Sequence, residues 1–184
     1  MPKFRPDIAA VTALVREKGD NVDEVLWTAA SALQDLGLSV SGVVQKAKPG
    51  RAECCQDFGL CNLATGKTQP ISQDLGSGAR GCRLDYGNLA EVIAEIESGM
   101  SEATDALILN RFGYSETQGG GFRPLIELAV SLEIPVLLSV NRAHHGAWQD
   151  YAGSFSDDKP ASPEAAERWC AAFTEMNVQA MFGT

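Results

Sequence analysis

Four short apolar runs fix the class of fold open to this chain. They are Ile8-Ala9-Ala10-Val11-Thr12-Ala13-Leu14-Val15, Leu38 to Val44, Ala106-Leu107-Ile108-Leu109-Asn110 and Ile134-Pro135-Val136-Leu137-Leu138-Ser139-Val140. The first is short, apolar and β-branched, as in a strand covered on both faces, and the other three read as further strands. Between them, Val22, Val25, Leu26, Ala29, Leu33 and Leu36 recur at helical spacing, and Gly37 stands where that helix should stop. Asn88, with Glu91 three residues on, has capping-box spacing and predicts a second helix to about Gly99. A third helix is predicted over Arg123 to Leu132, and Ser162-Pro163-Glu164 opens a last one. Glu53 to Leu63 and Gln69 to Ser72 predict a β-hairpin within 53–72, turning at Ala64-Thr65-Gly66-Lys67. Residues 141–161 read as a polar loop. The resulting order, β-α-β, hairpin, α-β-α-β-α, predicts one α/β domain over 1–184: a mostly parallel sheet with helices on both faces.

Charge and hydropathy narrow the partners. The formal net charge of −9 argues against a nucleic-acid backbone as partner, though not against a small anion in a local basic pocket. No apolar run approaches the roughly 20 residues that span a bilayer. Met1-Pro2-Lys3-Phe4-Arg5-Pro6-Asp7 lacks the apolar centre of a signal peptide. A cytoplasmic protein without a membrane span is therefore expected, with a homodimer as the commonest closed assembly.

Ligands of such sheets bind beyond the carboxyl ends of the strands. The first of these ends is the loop Arg16-Glu17-Lys18-Gly19-Asp20-Asn21-Val22-Asp23-Glu24. A phosphate-binding loop needs converging backbone N–H groups, a lysine on the phosphates and a Ser/Thr for Mg²⁺. Here Val22 stands in the lysine position and Asp23 in the Ser/Thr position, with more acid than base around them. Asn21-Val22-Asp23-Glu24 has capping-box spacing, which predicts a helix start capped by its own side chains.

Glycines and cations are concentrated elsewhere. Gly76, Ser77, Gly78, Arg80, Gly81 and Arg83 combine nest-forming glycines with arginine forks suited to an oxyanion. The alternative is a glycine-rich turn whose arginines pair with Asp74 and Asp85. Asn110-Arg111-Phe112-Gly113-Tyr114-Ser115-Glu116 follows the third run, where Arg111 could meet an anion and Glu116 is the only nearby acid. Cys54, Cys55, Cys61 and Cys82, with His144 or His145, are metal-ligating residue types, but their spacing matches no C-x₂-C pair. No partner for His144 or His145 is visible in the sequence, which favours an ordered loop packed by Trp148 and Tyr151.

Ser41-Gly42-Val43-Val44, Asn62-Leu63-Ala64-Thr65-Gly66, Asn110-Arg111-Phe112-Gly113 and Phe122 to Leu138 together resemble the bacterial and archaeal P-loop nucleoside-triphosphatases over about residues 8–142. Ile71 to Asp85 and Trp148 to Gly153 are similar to segments of a bacterial family of unknown function. Its members are sometimes labelled as molybdate-transport ATPase components or nucleotide-binding proteins. The resemblance implies a P-loop-type sheet. Against it, the chain lacks the Walker lysine, the Ser/Thr and the strand-end acid, so charge neutralisation, metal binding and water positioning are lost together.

The expectation is a binding protein for a nucleotide or a small oxyanion such as phosphate or molybdate, without the usual ATP hydrolysis. Its ligand residues would be Gly76, Ser77, Gly78, Arg80, Gly81 and Arg83, with Lys18 and Arg111, and no cofactor is specified. A divergent triphosphatase is the alternative, with Lys18, Lys67 or Arg80 for the missing lysine and Glu116 for the acid. A cysteine-based metal or redox module is the third reading.

Overall fold

The computed structural model describes residues 9–47, 58–72 and 84–182, with backbone alone at 46, 47, 58 and 174–182. Seven strands form one sheet: β1 (Val11–Arg16), β2 (Val40–Ala47), β3 (Phe58–Asn62), β4 (Thr68–Pro70), β5 (Ala106–Phe112), β6 (Val136–Asn141) and β7 (Ser156–Pro160). Their order across the sheet is β4-β3-β2-β5-β6-β1-β7. β2, β5, β6, β1 and β7 run parallel, while β3 is antiparallel to both β2 and β4. The predicted mostly parallel α/β sheet is thus observed, with the hairpin at its edge.

The apolar runs are covered on both faces, as consecutive burial requires. On one face α1 (Val22–Asp35) and α6 (Pro163–Phe182) pack Leu26, Leu33, Trp169 and Phe173 against Leu14, Ile108 and Leu137. On the other, α2 (Tyr86–Gly99), α4 (Arg123–Ser131) and α5 (His145–Ala152) pack Val92, Ile96, Leu125 and Trp148 against Leu107, Leu109, Val136 and Leu138. Adjacent residues of β5 point to opposite layers, so one unbroken run serves two cores.

Local chemistry fixes several boundaries. α1 ends in a Schellman motif: Leu38 N–H donates to Leu33 O at 3.1 Å and Gly37 N–H to Gln34 O at 2.8 Å, with Gly37 at φ +78°. The hairpin turn is held by Asn62, whose Oδ1 accepts from the Ala64 N–H at 3.0 Å. The predicted cap of the second helix is corrected. Asp85, not Asn88, is the N-cap, and its carboxylate accepts the Asn88 N–H at 3.0 Å. A residue earlier in the chain had the acceptor geometry, so Asn88 lies inside the first turn.

The predicted polar loop 141–161 is also corrected, because it contains α5 and the edge strand β7. Ser156-Asp157-Asp158-Lys159-Pro160 has no apolar run to announce a strand, yet it pairs in parallel with β1 from Val11 to Val15. Its polar side chains suit an edge, where they discourage further strand pairing. Residues 111–121, which follow the third apolar run, hold the end of β5 and a short helix, α3 (Tyr114–Thr117).

Candidate functional site

The connection from β1 to α1 is a tight turn. Asp20 Oδ2 accepts the Glu17 N–H at 2.7 Å, the Asp20 N–H donates to Glu17 O at 3.3 Å, and Gly19 takes φ +101°. Asn21 is the N-cap, but the predicted self-capping is not observed: no side-chain cap bond forms. Its amide donates instead to Glu24 Oε2 at 2.6 Å, which turns the Asn21 side chain away from the helix N–H groups. Across the sheet edge, Arg142, just past β6, pairs with Glu17 at 2.7 Å.

Asp23 and Arg111 influence each other electrostatically near this edge. Burial pushes the Asp23 carboxyl up from its ordinary value, and the positive charges of Arg111 and Arg16 offset that only in part. Its Oδ1 is buried without a hydrogen-bond partner. Burial pushes the Arg111 guanidinium down, Asp23 and Glu116 hold it up, and Arg16 repels it. In the P-loop enzymes that the sequence resembles, a hydroxyl and a strand-end acid stand at these two places and share Mg²⁺. Here they are an acid and a guanidinium. Magnesium does not fit the pair, because Arg111 brings a fixed positive charge where an oxygen ligand is needed.

Arg111 is itself held. Its Nη2 donates to Gln45 Oε1 at 2.5 Å. Gln45 N–H donates to Asn110 Oδ1 at 2.9 Å, and the Ser139 hydroxyl donates to the Asn110 carbonyl. Asn110, 2% exposed, therefore ties β2, β5 and β6 together beneath the guanidinium. Arg111 also lines a cavity of about 270 Å³ with Gln45, Leu60, Leu89, Tyr114 and Phe122. Ile71 and Leu84 line the same cavity, and the Ser72–Leu84 bridge joins the chain on either side of residues 73–83.

Glu116 is a structural anchor. It is 4% exposed, and its two oxygens accept the Gly113 and Phe122 N–H groups, each at 2.8 Å. Both carboxylate oxygens are thus used to hold the loop that carries α3. Lys18 is exposed on the 17–20 turn and does not line the Arg111 cavity. Gly76, Ser77, Gly78, Arg80, Gly81, Arg83, Cys54, Cys55 and Cys82 lie outside the described residues. Cys61 is buried on β3, with its thiol 3.7 Å from Gly66 O, and no metal-binding group of His, Cys, Asp or Glu occurs among the described residues.

A second polar cluster corrects the reading of His145, which does have a partner. His145 Nε2 lies 2.7 Å from Asp158 Oδ2, while Trp148 Nε1 donates to Asp158 Oδ1 at 3.0 Å and Ser156 Oγ to the same oxygen at 2.5 Å. The sequence hid this pair because β7 read as loop. The alternation of Ser156 and Asp158 on one side of a strand was the available signal. Burial alone would raise the Asp158 pKa, but the Ser156, Trp148 and His145 hydrogen bonds outweigh it and hold the carboxyl below its ordinary value. A depressed carboxyl stabilises the fold above the unfolded value of about 4, and this contribution is lost as pH falls through the folded value. Asp158→Asn should therefore lower the melting temperature at pH 7, by a margin that closes below about pH 4. A margin independent of pH would contradict it.

A family model described as "Protein of unknown function (DUF2478)" matches residues 11–169, and the chain belongs to that family. The molybdenum import ATP-binding protein ModC 2 of Bradyrhizobium diazoefficiens is 29% identical over 159 residues, which is 86% of this chain and 18% of that protein. The chain thus spans under a fifth of that relative's length. The solution structure of a human cancer-related nucleoside triphosphatase superposes with a TM-score of 0.56 at 13% identity, covering 94% of this chain and 98% of the other. The fold is accordingly that of the P-loop nucleoside-triphosphatases, with a nucleotide-binding protein among the relatives.

Proposed function

We propose that this DUF2478 member binds a phosphate-bearing nucleotide or a small oxyanion, molybdate among them, without the magnesium-dependent hydrolysis of the enzymes whose fold it shares. The observation that carries this reading is Arg111: a guanidinium, set beside Asp23 at the carboxyl end of β5, where those enzymes place a metal-holding acid. An arginine fork neutralises an oxyanion directly through charge-assisted hydrogen bonds. Asp23 is its resident counter-charge, and an incoming anion replaces that interaction. Gly76, Ser77, Gly78, Arg80, Gly81 and Arg83 would complete the site, since the 73–83 segment is bounded by two residues of the Arg111 cavity. Lys18 would add long-range attraction from the neighbouring turn.

Calorimetric titration with orthophosphate, molybdate and ATP tests this. Arg111→Gln should weaken the bound anion at least about tenfold, the value of one lost charge-assisted bond. Asp23→Asn should tighten it by roughly fivefold, because a like charge near the anion is removed. Absence of binding by all three, or an affinity unchanged by Arg111→Gln, overturns the reading.

A further inference from the structure

Beyond the anion itself, we infer that the Arg111 cavity receives a planar aromatic ring, so that the ligand is a ring bearing an anionic group. This rests on the anion reading above and narrows it. The cavity lies between the end of β5, α3 and the start of α2, and its volume is about 270 Å³. Leu60, Leu89 and Phe122 form its walls, each under 8% exposed. A tetrahedral oxyanion alone would leave these apolar walls wet. The cavity is slightly smaller than the roughly 300–1,000 Å³ of pockets that enclose a whole ligand, so it suits the flat part of a larger one.

The cavity lining carries one carboxylate, Glu116, and one guanidinium, Arg111. Both Glu116 oxygens are engaged by backbone amides, whereas Arg111 is anchored through Nη2 to Gln45. With the Glu116 oxygens directed at backbone amides, Arg111 is the group that can meet an anionic substituent, and the apolar walls are what a ring would cover. Two tyrosines line the same cavity at its solvent side: Tyr86 is 56% exposed and Tyr114 is 66% exposed. Exposed aromatic faces beside an apolar chamber offer surfaces on which a planar ring stacks. A nucleoside monophosphate has this chemistry, as does an aromatic carboxylate.

The test compares AMP, GMP, UMP and 4-hydroxybenzoate with orthophosphate by calorimetry on the full chain. At least one ring-bearing anion should bind ten-fold or more tightly than orthophosphate. The gain should vanish in the Tyr86→Ala/Tyr114→Ala double variant and persist in Tyr86→Phe/Tyr114→Phe, which keeps the rings. Both tyrosines are exposed, so unchanged urea midpoints verify the fold. If orthophosphate binds through Arg111 but no ring-bearing anion gains, or the alanine pair retains the gain, the ring site is overturned and the anion reading stands. If nothing binds, both fall.

Discussion

Glu116→Ala is expected to lower the stability of the fold by about 2–5 kcal/mol, since it strands the buried Phe122 amide and the partly buried Gly113 amide, at about 1–3 kcal/mol each when unpaired. The Gly113 and Phe122 N–H groups converge on this one carboxylate from both ends of the segment that carries α3. Gly121 shows how closely the loop is wrapped around it: a Cβ there would fall 1.9 Å from Glu116 Oε1, and the backbone takes φ +60°. Glu116→Gln keeps one acceptor and turns an NH₂ toward the other amide, so its loss should be smaller, about 1–3 kcal/mol. Urea unfolding measures both. Because the same loop presents Tyr114 to the cavity, the alanine variant should also lose any ligand held there. A stability change under 1 kcal/mol in Glu116→Ala would contradict the anchoring role.

Gly42→Ala should be of comparable severity for a different reason. Gly42 lies within β2, opposite Ile108 of β5. A Cβ at Gly42 would sit 1.9 Å from the Ile108 carbonyl oxygen, and φ is +114°. A side chain there both strains the backbone and forces a backbone neighbour aside, which together cost at least about 3 kcal/mol. β5 carries Asn110 and Arg111, so a displaced β2–β5 pair disturbs the Gln45–Asn110–Arg111 bonds as well. The expected result is a large fall in urea midpoint, or an insoluble variant, whereas a near-neutral effect would contradict the close approach. A glycine inside a strand signals such an approach from sequence alone.

What could be read from the sequence followed the physics of burial. The runs at β1, β5 and β6 are largely apolar on consecutive residues because helices cover both faces, and this makes parallel strands conspicuous. β7 carries no such signal, since its side chains are polar, and with β7 hidden the partner of His145 is hidden too. The Asn21 box had the right residues, but Asn21 Nδ2 found Glu24 and the backbone took φ −86°, ψ 63°. Spacing cannot decide between a side chain that accepts from the helix and one that donates along it.

The site was legible in its losses and not in its replacement. Val22, Asp23 and Arg111 each depart visibly from a metal-dependent phosphate site. That Asp23 and Arg111 interact with each other depends on the strand order β5-β6-β1, which brings α1 over the end of β5. Tyr86 and Tyr114 were invisible for the same reason: they are far apart in the chain and meet only around one cavity.

The central claim is that a guanidinium has taken the place of a metal. The measurement that tests it most directly is calorimetric titration of the chain with orthophosphate, molybdate, ATP and AMP, in excess Mg²⁺ and again in EDTA, for wild type and Arg111→Gln. The expected result is anion binding of equal strength with and without Mg²⁺, weakened at least about tenfold in Arg111→Gln under both conditions. Binding that requires Mg²⁺ and survives in Arg111→Gln would contradict it.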